Sequence, residues 1–364
     1  MMNIATITTQ ALPEQSCISM KVDDRNLNIS TEIKTTNGDL CNNNSTIKRD
    51  LYPNTEQIVN HLTKCMQSDR DKDNNSNDNN KEENKLYKLL RYEDAPEYLQ
   101  FNPYIRSGYR QFLNTKLCLE SIFWWTNETI NIWSHLFGFL LFFGLTIYDL
   151  CLLNIQAPLG DKLLVGAILI CFQICMILSA MYHTFSCKSE HDFNCLLTFD
   201  LFGIAISLLS IYVSGIYYAF WCNRDAQYFY MISVSLIFIF ALSLQVPRFN
   251  VSSNVKMLVF VAWAAYGVIP TLHWTFAQGG LKNPMVALLL PRVLGMYGIV
   301  GLAFLIYISK IPERFLPGYV DYIGHSHQWW HLFVVIALYY WHNSGMIYIE
   351  YRMNHACSDN LRLP

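Results

Sequence analysis

Seven stretches of mostly apolar residues occupy the last two thirds of this 364-residue chain. A helix needs ~20 such residues to cross the hydrocarbon core of a bilayer. Backbone groups inside lipid must be hydrogen-bonded within the segment, so helices suit these runs. The runs are 130–150, 163–185, 196–221, 228–246, 255–276, 286–309 and 328–350. The sequence therefore predicts an all-α membrane protein with seven transmembrane helices.

The first part of the chain has a different composition. Residues 1–85 are rich in Asn, Asp, Thr and Ser and include the tract SDRDKDNNSNDNNKEENK. Such a segment buries too little apolar surface to offset the conformational entropy of ordering it. We expect residues 1–85 to form a disordered polar extension.

Residues 86–125 mix apolar and aromatic residues with single charges and end in two tryptophans, Trp124 and Trp125. Tryptophan favours the headgroup boundary of a membrane. We interpret this segment as a cytosolic juxtamembrane region with an interfacial helix, and an ordinary soluble linker is the alternative. The membrane domain then spans 126–350, and residues 351–364 form a short tail.

The distribution of Lys and Arg between loops predicts the orientation, because cytosolic loops carry an excess of positive charge. With a cytosolic N-terminus, eight basic residues lie inside: Arg106, Arg110, Lys116, Lys188, Arg248, Lys256, Lys310 and Arg314. Five then lie outside: Lys162, Arg224, Lys282, Arg352 and Arg362. The sequence favours a cytosolic N-terminus and a lumenal or extracellular C-terminus.

Four ionisable side chains lie at the ends of three apolar runs. In the predicted topology the second helix ends near His183, and the third helix carries Asp200 about one turn from its start. The seventh helix opens with His327 and His331. All four reach the cytosolic end of the bundle at one depth. Ionisable residues at membrane depth are costly and indicate a functional site.

The residue types indicate a zinc site. His327 and His331 are four apart and share one helical face. A catalytic Zn²⁺ takes three protein ligands and a water, with neutral imidazole nitrogens at ~2.0–2.1 Å. We predict His183, His327 and His331 as ligands and Asp200 as the group that holds or deprotonates the water, with Ser179, one turn before His183 on the same helical face, as a second catalytic candidate. The alternative is that each histidine is a capping or hydrogen-bonded residue at a helix end.

Other polar residues and the cysteines give weaker signals. His135 lies near the start of the first helix, where a supporting or a capping role is equally compatible with its position. His342 lies nearer the middle of the membrane and is expected to hydrogen-bond between helices. The eleven cysteines are an odd number, and most are interpreted as packing residues. A net charge of -2 gives no indication of nucleic-acid binding.

The motifs NETINIWSH, SAMYH followed by FD in the next helix, and SHQWWH together resemble the progestin and adipoQ receptor family. The resemblance extends from about Leu86 to the C-terminus. The stretches NPYIRSGYR, YVSGIYYAFWCN, AYGVIPTLHW and FLIYISKIPERFLPG resemble the branch of the family that traps Raf kinase at the Golgi.

This resemblance implies a seven-helix fold with a cytosolic N-terminus and a Zn²⁺ ion held by His183, His327 and His331, with Asp200 near the bound water. It also implies a Golgi membrane protein that binds Raf kinase, restrains MAP kinase signalling and tethers sterol-sensing machinery. Because residues 1–85 depart from the family pattern, the segment 86–125 would have to bind Raf.

Two other functions remain open. One is zinc-dependent hydrolysis of a lipid amide such as ceramide, with the substrate entering from the surrounding membrane lipids. The other is a signalling receptor of the adiponectin or progestin type, which the family name suggests.

Overall fold

The computed structural model describes four N-terminal strands, residues 88–152, 157–246, 249, 251–355 and 357. The chain divides into two compact units, Met1–Leu86 and Tyr87–Pro364.

The N-terminal unit contains a four-stranded antiparallel sheet in the order β1-β2-β3-β4. The strands are Ile4–Ile7, Cys17–Asp23, Asn28–Lys34 and Leu40–Asn43. In the β2–β3 register Ile18 pairs with Ile33. Apolar residues alternate along these two strands. The predominance of polar residues in the composition of 1–85 concealed this pattern. Apart from these strands, the predicted disordered extension, residues 1–85, lies outside the described residues.

The juxtamembrane segment is folded but contains little regular helix. Its elements are 3₁₀ turns at Tyr92–Asp94, Glu97–Leu99 and Ser121–Phe123 and the helix α1, Thr115–Glu120. The predicted interfacial helix is thus only six residues long, with Asn114 as its N-cap. A small apolar core holds the segment together: Ala95, Leu99, Ile105, Tyr109, Leu113, Cys118 and Cys187. We call this set the juxtamembrane cluster.

Two buried carboxylates fasten the juxtamembrane segment to the loop before the last helix. Glu313 accepts hydrogen bonds from Asn102 Nδ2 at 3.1 Å and from the Ser326 backbone N–H at 2.7 Å. Asp321 accepts one from the Ser107 hydroxyl at 2.7 Å. Charge-assisted bonds of this kind are stronger than neutral ones. The segment is therefore a structural part of the membrane domain.

Seven spans in the described residues are long and apolar enough to cross a membrane, which confirms the predicted seven-helix membrane domain. The protein is an integral, multi-pass membrane protein. Its helices are α2 Thr129–Ile147, α3 Leu159–Phe185, α4 Glu190–Ala219, α5 Arg224–Ser243, α6 Ser253–Tyr266, α7 Val268–Ala277, α8 Pro284–Ser309 and α9 Ser326–Asn354. A π-helical turn, Tyr148–Leu152, follows α2. Of the predicted tail 351–364, residues 356 and 358–364 lie outside the described residues.

The fifth span is broken at Gly267, between α6 and α7. Tyr212 donates to the carbonyls of Trp263 at 2.5 Å and Ala264 at 3.2 Å, and Tyr297 donates to Ala264 at 3.3 Å. These hydroxyls donate hydrogen bonds to the backbone carbonyls near the break. The hydrocarbon of the lipid has no donors, so these carbonyls need partners within the protein. A Cβ at Gly267 would collide with both tyrosine hydroxyls, so a larger residue there would displace the side chains that hydrogen-bond near the break.

The end of the bundle opposite His183 is held by a disulfide and an ion pair. Cys222, after α4, is bonded to Cys357, after α9. Arg352 on α9 donates to Asp161 on α3 at 2.5 Å, and Tyr218 on α4 donates to the same carboxylate at 3.2 Å. Three spans are thereby joined at one end. The sequence analysis did not predict the disulfide.

His342 makes the interhelical contact that its position predicts. Its Nε2 lies 2.6 Å from Oδ2 of Asp149, and both side chains are buried. Asp149 belongs to the π-helical turn after α2, so the pair links the first span to the last. Removing one partner of such a buried pair strongly destabilises the protein, because the other partner is left buried without it.

Candidate metal centre

Three histidines from two helices converge at one end of the bundle. His183 lies in the last turn of α3, and His327 and His331 lie in the first two turns of α9. Nε2 of His327 is 3.2 Å from Nε2 of His331 and 3.5 Å from Nε2 of His183. One nitrogen from each ring lies within 4.8 Å of the other two. The structure therefore brings together the three residues predicted as ligands.

The start of α9 is fixed by groups outside the helix. Glu313 accepts from both the backbone N–H and the hydroxyl of Ser326. A carboxylate at this position also interacts favourably with the positive end of the helix dipole. His325 is the N-cap residue, and its Nε2 atom is 3.2 Å from the carbonyl oxygen of Asn127. These contacts set the depth and rotation at which His327 and His331 face α3.

The sequence analysis missed Glu128, which lies immediately before α2. Its Oε2 is 2.7 Å from Nδ1 of His183 and also accepts a hydrogen bond from Asn131 at 2.7 Å. A carboxylate acceptor places the proton of His183 on Nδ1, so that the lone pair of Nε2 faces the other two rings. Carboxylates commonly orient metal-binding histidines in this way. The only signal in the sequence was an acidic residue at the start of a membrane helix, within NETIN.

The three nitrogens fit a tetrahedral metal. With Zn–N bonds of ~2.0–2.1 Å, neighbouring ligand nitrogens in a tetrahedral site lie about 3.3 Å apart. Two of the three separations, 3.2 and 3.5 Å, are close to this value, and the third is at most 4.8 Å. Nδ1 of His331 is buried and has no hydrogen-bond partner among the described residues. A neutral imidazole carries one proton, so three buried imidazoles whose Nε2 atoms face one another cannot satisfy all three Nε2 lone pairs by hydrogen bonds. A cation bound between them would satisfy all three.

Asp200 on α4 lies near Ser179 and His183 on α3, close enough to interact electrostatically with both. Because α4 begins at Glu190, Asp200 lies about three turns into the helix instead of one. The difference arises because the polar residues before position 196 continue the helix beyond the apolar run.

Aromatic rings enclose the three histidines. The His135 ring lies 4.0 Å from the His331 ring, measured between centroids. The Tyr307 ring, on α8, lies 5.7 Å from the His327 ring. His135 therefore supports the site by packing, whereas the sequence analysis gave no reason to single out Tyr307.

Comparison with known proteins identifies the family. The haemolysin-III-related family matches residues 123–342, a range that contains every residue of the site. The human protein "Progestin and adipoQ receptor family member 3" is 44% identical over 278 residues, covering 75% of this chain and 89% of its own length. The Drosophila melanogaster "Adiponectin receptor protein" is 31% identical over 260 residues, covering 70% of this chain and 58% of its own length. The chain therefore belongs to the haemolysin-III-related progestin and adipoQ receptor family.

Proposed function

We propose that this protein is a Golgi membrane tether that holds Raf kinase at its cytosolic face and so restrains MAP kinase signalling. The observation that carries the proposal is the 44% identity to human family member 3 over 89% of that protein's length. The motifs quoted above resemble the Raf-trapping branch in both the juxtamembrane segment and the membrane domain. A zinc ion at the three histidines would join the third helix to the ninth, α3 to α9, and stabilise the membrane domain.

The ordered juxtamembrane segment offers a surface for a protein partner. Phe101 and Phe112 project from it with 50% and 64% of their surface exposed. Phe315 and Tyr319, in the loop that Glu313 and Asp321 fasten to this segment, are 73% and 86% exposed. Exposed aromatic residues are enriched among those that dominate binding at protein interfaces.

The orientation needed for cytosolic binding has two supports. The excess of Lys and Arg favours the cytosol for the juxtamembrane end, although Arg248 and Arg362 lie outside the described residues. The disulfide Cys222–Cys357 lies at the other end. Disulfides persist in oxidising compartments such as the secretory lumen, which supports a lumenal C-terminus.

Capture of Raf kinase by the full-length protein tests the tether. The juxtamembrane segment depends on contacts with the membrane domain, so an isolated peptide is a poor substitute. We expect the full chain in detergent to retain Raf kinase, and the double variant Phe101→Ser, Phe112→Ser to bind it at least about 30-fold more weakly, since two aromatic side chains that a partner covers each contribute roughly 1 kcal/mol or more at an interface.

Leu281→Ser is the matched control, because Leu281 is 71% exposed at the opposite end of the bundle. This variant should capture as much Raf kinase as the wild type. Capture no greater than that by an unrelated seven-helix protein would refute the tether. Equal capture by the wild type and the double variant would refute the proposed surface.

A second candidate function is hydrolysis of a lipid amide of the ceramide type. The observation that favours it is the proximity of Asp200 and Ser179 to His183, one of the candidate metal ligands. Zinc, when bound, polarises an amide carbonyl and makes a water nucleophilic at neutral pH. Asp200 would accept the proton of that water, and Ser179 would hold the carboxylate in place.

A cavity within the bundle is compatible with a lipid substrate. Its volume is about 140 Å³, and its lining is mostly apolar, with Tyr212, Trp274, Met296 and Trp341 among the wall residues. Tyr212 lies twelve residues beyond Asp200 on α4, which is about 18 Å along the helix. The cavity could hold part of an acyl chain whose polar end reaches toward Asp200.

A further inference from the structure

Two free cysteines face each other inside the juxtamembrane cluster. Cys118 belongs to the short helix α1, and Cys187 belongs to the loop between α3 and α4. Their Sγ atoms are 3.8 Å apart, and the two residues are 0% and 1% exposed. They lie at the same end of the membrane domain as His183, opposite the disulfide Cys222–Cys357.

The surroundings of the pair favour a thiolate on Cys187. The hydrogen bond from the Cys118 thiol lowers the pKa of Cys187 to about 7, and the nearby Arg110 guanidinium acts in the same direction. The same hydrogen bond raises the pKa of Cys118 above its usual range. A thiolate beside a second thiol is the arrangement of a nucleophilic cysteine and its resolving partner.

We propose that Cys118 and Cys187 form a reversible disulfide when the protein meets hydrogen peroxide. The Cys187 thiolate attacks the peroxide O–O bond, which breaks as an S–O bond forms, and hydroxide leaves and takes up a proton. The Cys118 thiol then attacks this sulfur, so that an S–S bond forms, the S–O bond breaks and a second water leaves. Two thiols are oxidised, one peroxide is reduced to two waters, and a dithiol reductant reverses the change by exchange.

Closure of this bond requires little movement. A disulfide has an S–S length of about 2.05 Å, so the two sulfurs must approach by roughly 1.8 Å. The six-residue helix α1 is the element that would move, because short helices at the edge of a fold open locally at low cost. The same opening admits peroxide, which is scarcely larger than water, to the buried thiols.

The bond would fix the juxtamembrane segment to the helix that carries His183. Arg110 already links the two parts, because it donates to the Ser121 hydroxyl and to the Thr184 carbonyl, each at 2.8 Å, and to the His183 carbonyl. A covalent link between Cys118 and Cys187 runs parallel to these hydrogen bonds. Oxidation would therefore hold α1 in place against opening.

Peptide mass spectrometry of the full-length protein tests the site. The purified protein in detergent is treated with a few equivalents of hydrogen peroxide, alkylated and digested without reduction. We expect a linked peptide containing Cys118 and Cys187 in most molecules, and its loss when dithiothreitol is added before alkylation. The cysteine at 195, which is exposed, provides the internal comparison, and Cys195→Ser should leave the linked peptide unchanged.

Dimedone, which traps sulfenic acids, assigns the two roles. In Cys118→Ser the Cys187 sulfenic acid has no resolving thiol, so dimedone should label Cys187 at least fivefold more than in the wild type. In Cys187→Ser, Cys118 should remain unlabelled. The proposal is overturned if peroxide that oxidises Cys195 leaves Cys118 and Cys187 as free thiols in the wild type, an outcome that does not depend on the folding of any variant.

Discussion

Replacing Glu128 with glutamine is expected to weaken zinc binding by about 10- to 100-fold, which is the usual cost of losing a group that orients a metal ligand. Glu128 accepts a hydrogen bond from Nδ1 of His183 at 2.7 Å. Glutamine keeps the length of the side chain but removes its negative charge, so the imidazole loses both basicity and orientation. Competition with a chromophoric chelator in detergent measures the change.

Glu120→Gln is the matched control. Glu120 lies near Glu128 in the chain, but its only described ion pair is the exposed contact with Lys116 at 3.8 Å. Surface pairs of this kind contribute little, so zinc affinity should stay within twofold of the wild type. If Glu128→Gln binds zinc as tightly as Glu120→Gln, the carboxylate has no role in the metal centre.

Replacing Asp200 with asparagine is expected to lower hydrolysis of a ceramide-type amide by about 10²- to 10⁴-fold, the range contributed by a positioned general base. Asparagine keeps the size and shape of the side chain but cannot accept a proton at neutral pH. Zinc content should not change, because the three ligands are histidines. Product release from a defined ceramide in mixed micelles, measured by mass spectrometry, gives the rate.

Asp192→Asn provides the comparison, since Asp192 lies on the surface and pairs with Lys188 at 3.3 Å. It should hydrolyse the substrate as fast as the wild type. Equal rates for Asp200→Asn and wild type would eliminate hydrolysis at this site. The tether proposal does not depend on that result, because Raf capture uses other residues.

The membrane domain was predictable because its signal is local. The length of each apolar run sets the number of spans, and the structure has seven such spans at the predicted positions. Successive spans cross the membrane in opposite directions, so the end of the second span and the start of the seventh lie on the same side. The cluster of His183, His327 and His331 was therefore also predictable. Residue type and depth together were enough to bring these three together.

Features that depend on contacts between distant residues could not be predicted. Glu128 looked like an ordinary charge before a helix, since its partner His183 is 55 positions away. The break at Gly267 depends on hydroxyls from two other helices. The disulfide joins cysteines separated by 135 positions, and spacing alone does not pair them.

Two features outside the spans were not visible in the overall composition, for local reasons. The interfacial helix before Trp124 is only the six-residue α1, because the segment packs its apolar residues into the juxtamembrane cluster instead of along one helical face. The N-terminal strands Cys17–Asp23 and Asn28–Lys34 carry an alternating pattern that composition averaged over 85 residues conceals.

The metal content of the purified protein shows whether the three histidines form a zinc site. Elemental analysis of the full-length chain in detergent is compared with that of the double variant His327→Ala, His331→Ala. We predict about one zinc per polypeptide in the wild type and less than a tenth of that in the variant. Equal zinc in both proteins, or none in either, would contradict a metal centre at His183, His327 and His331.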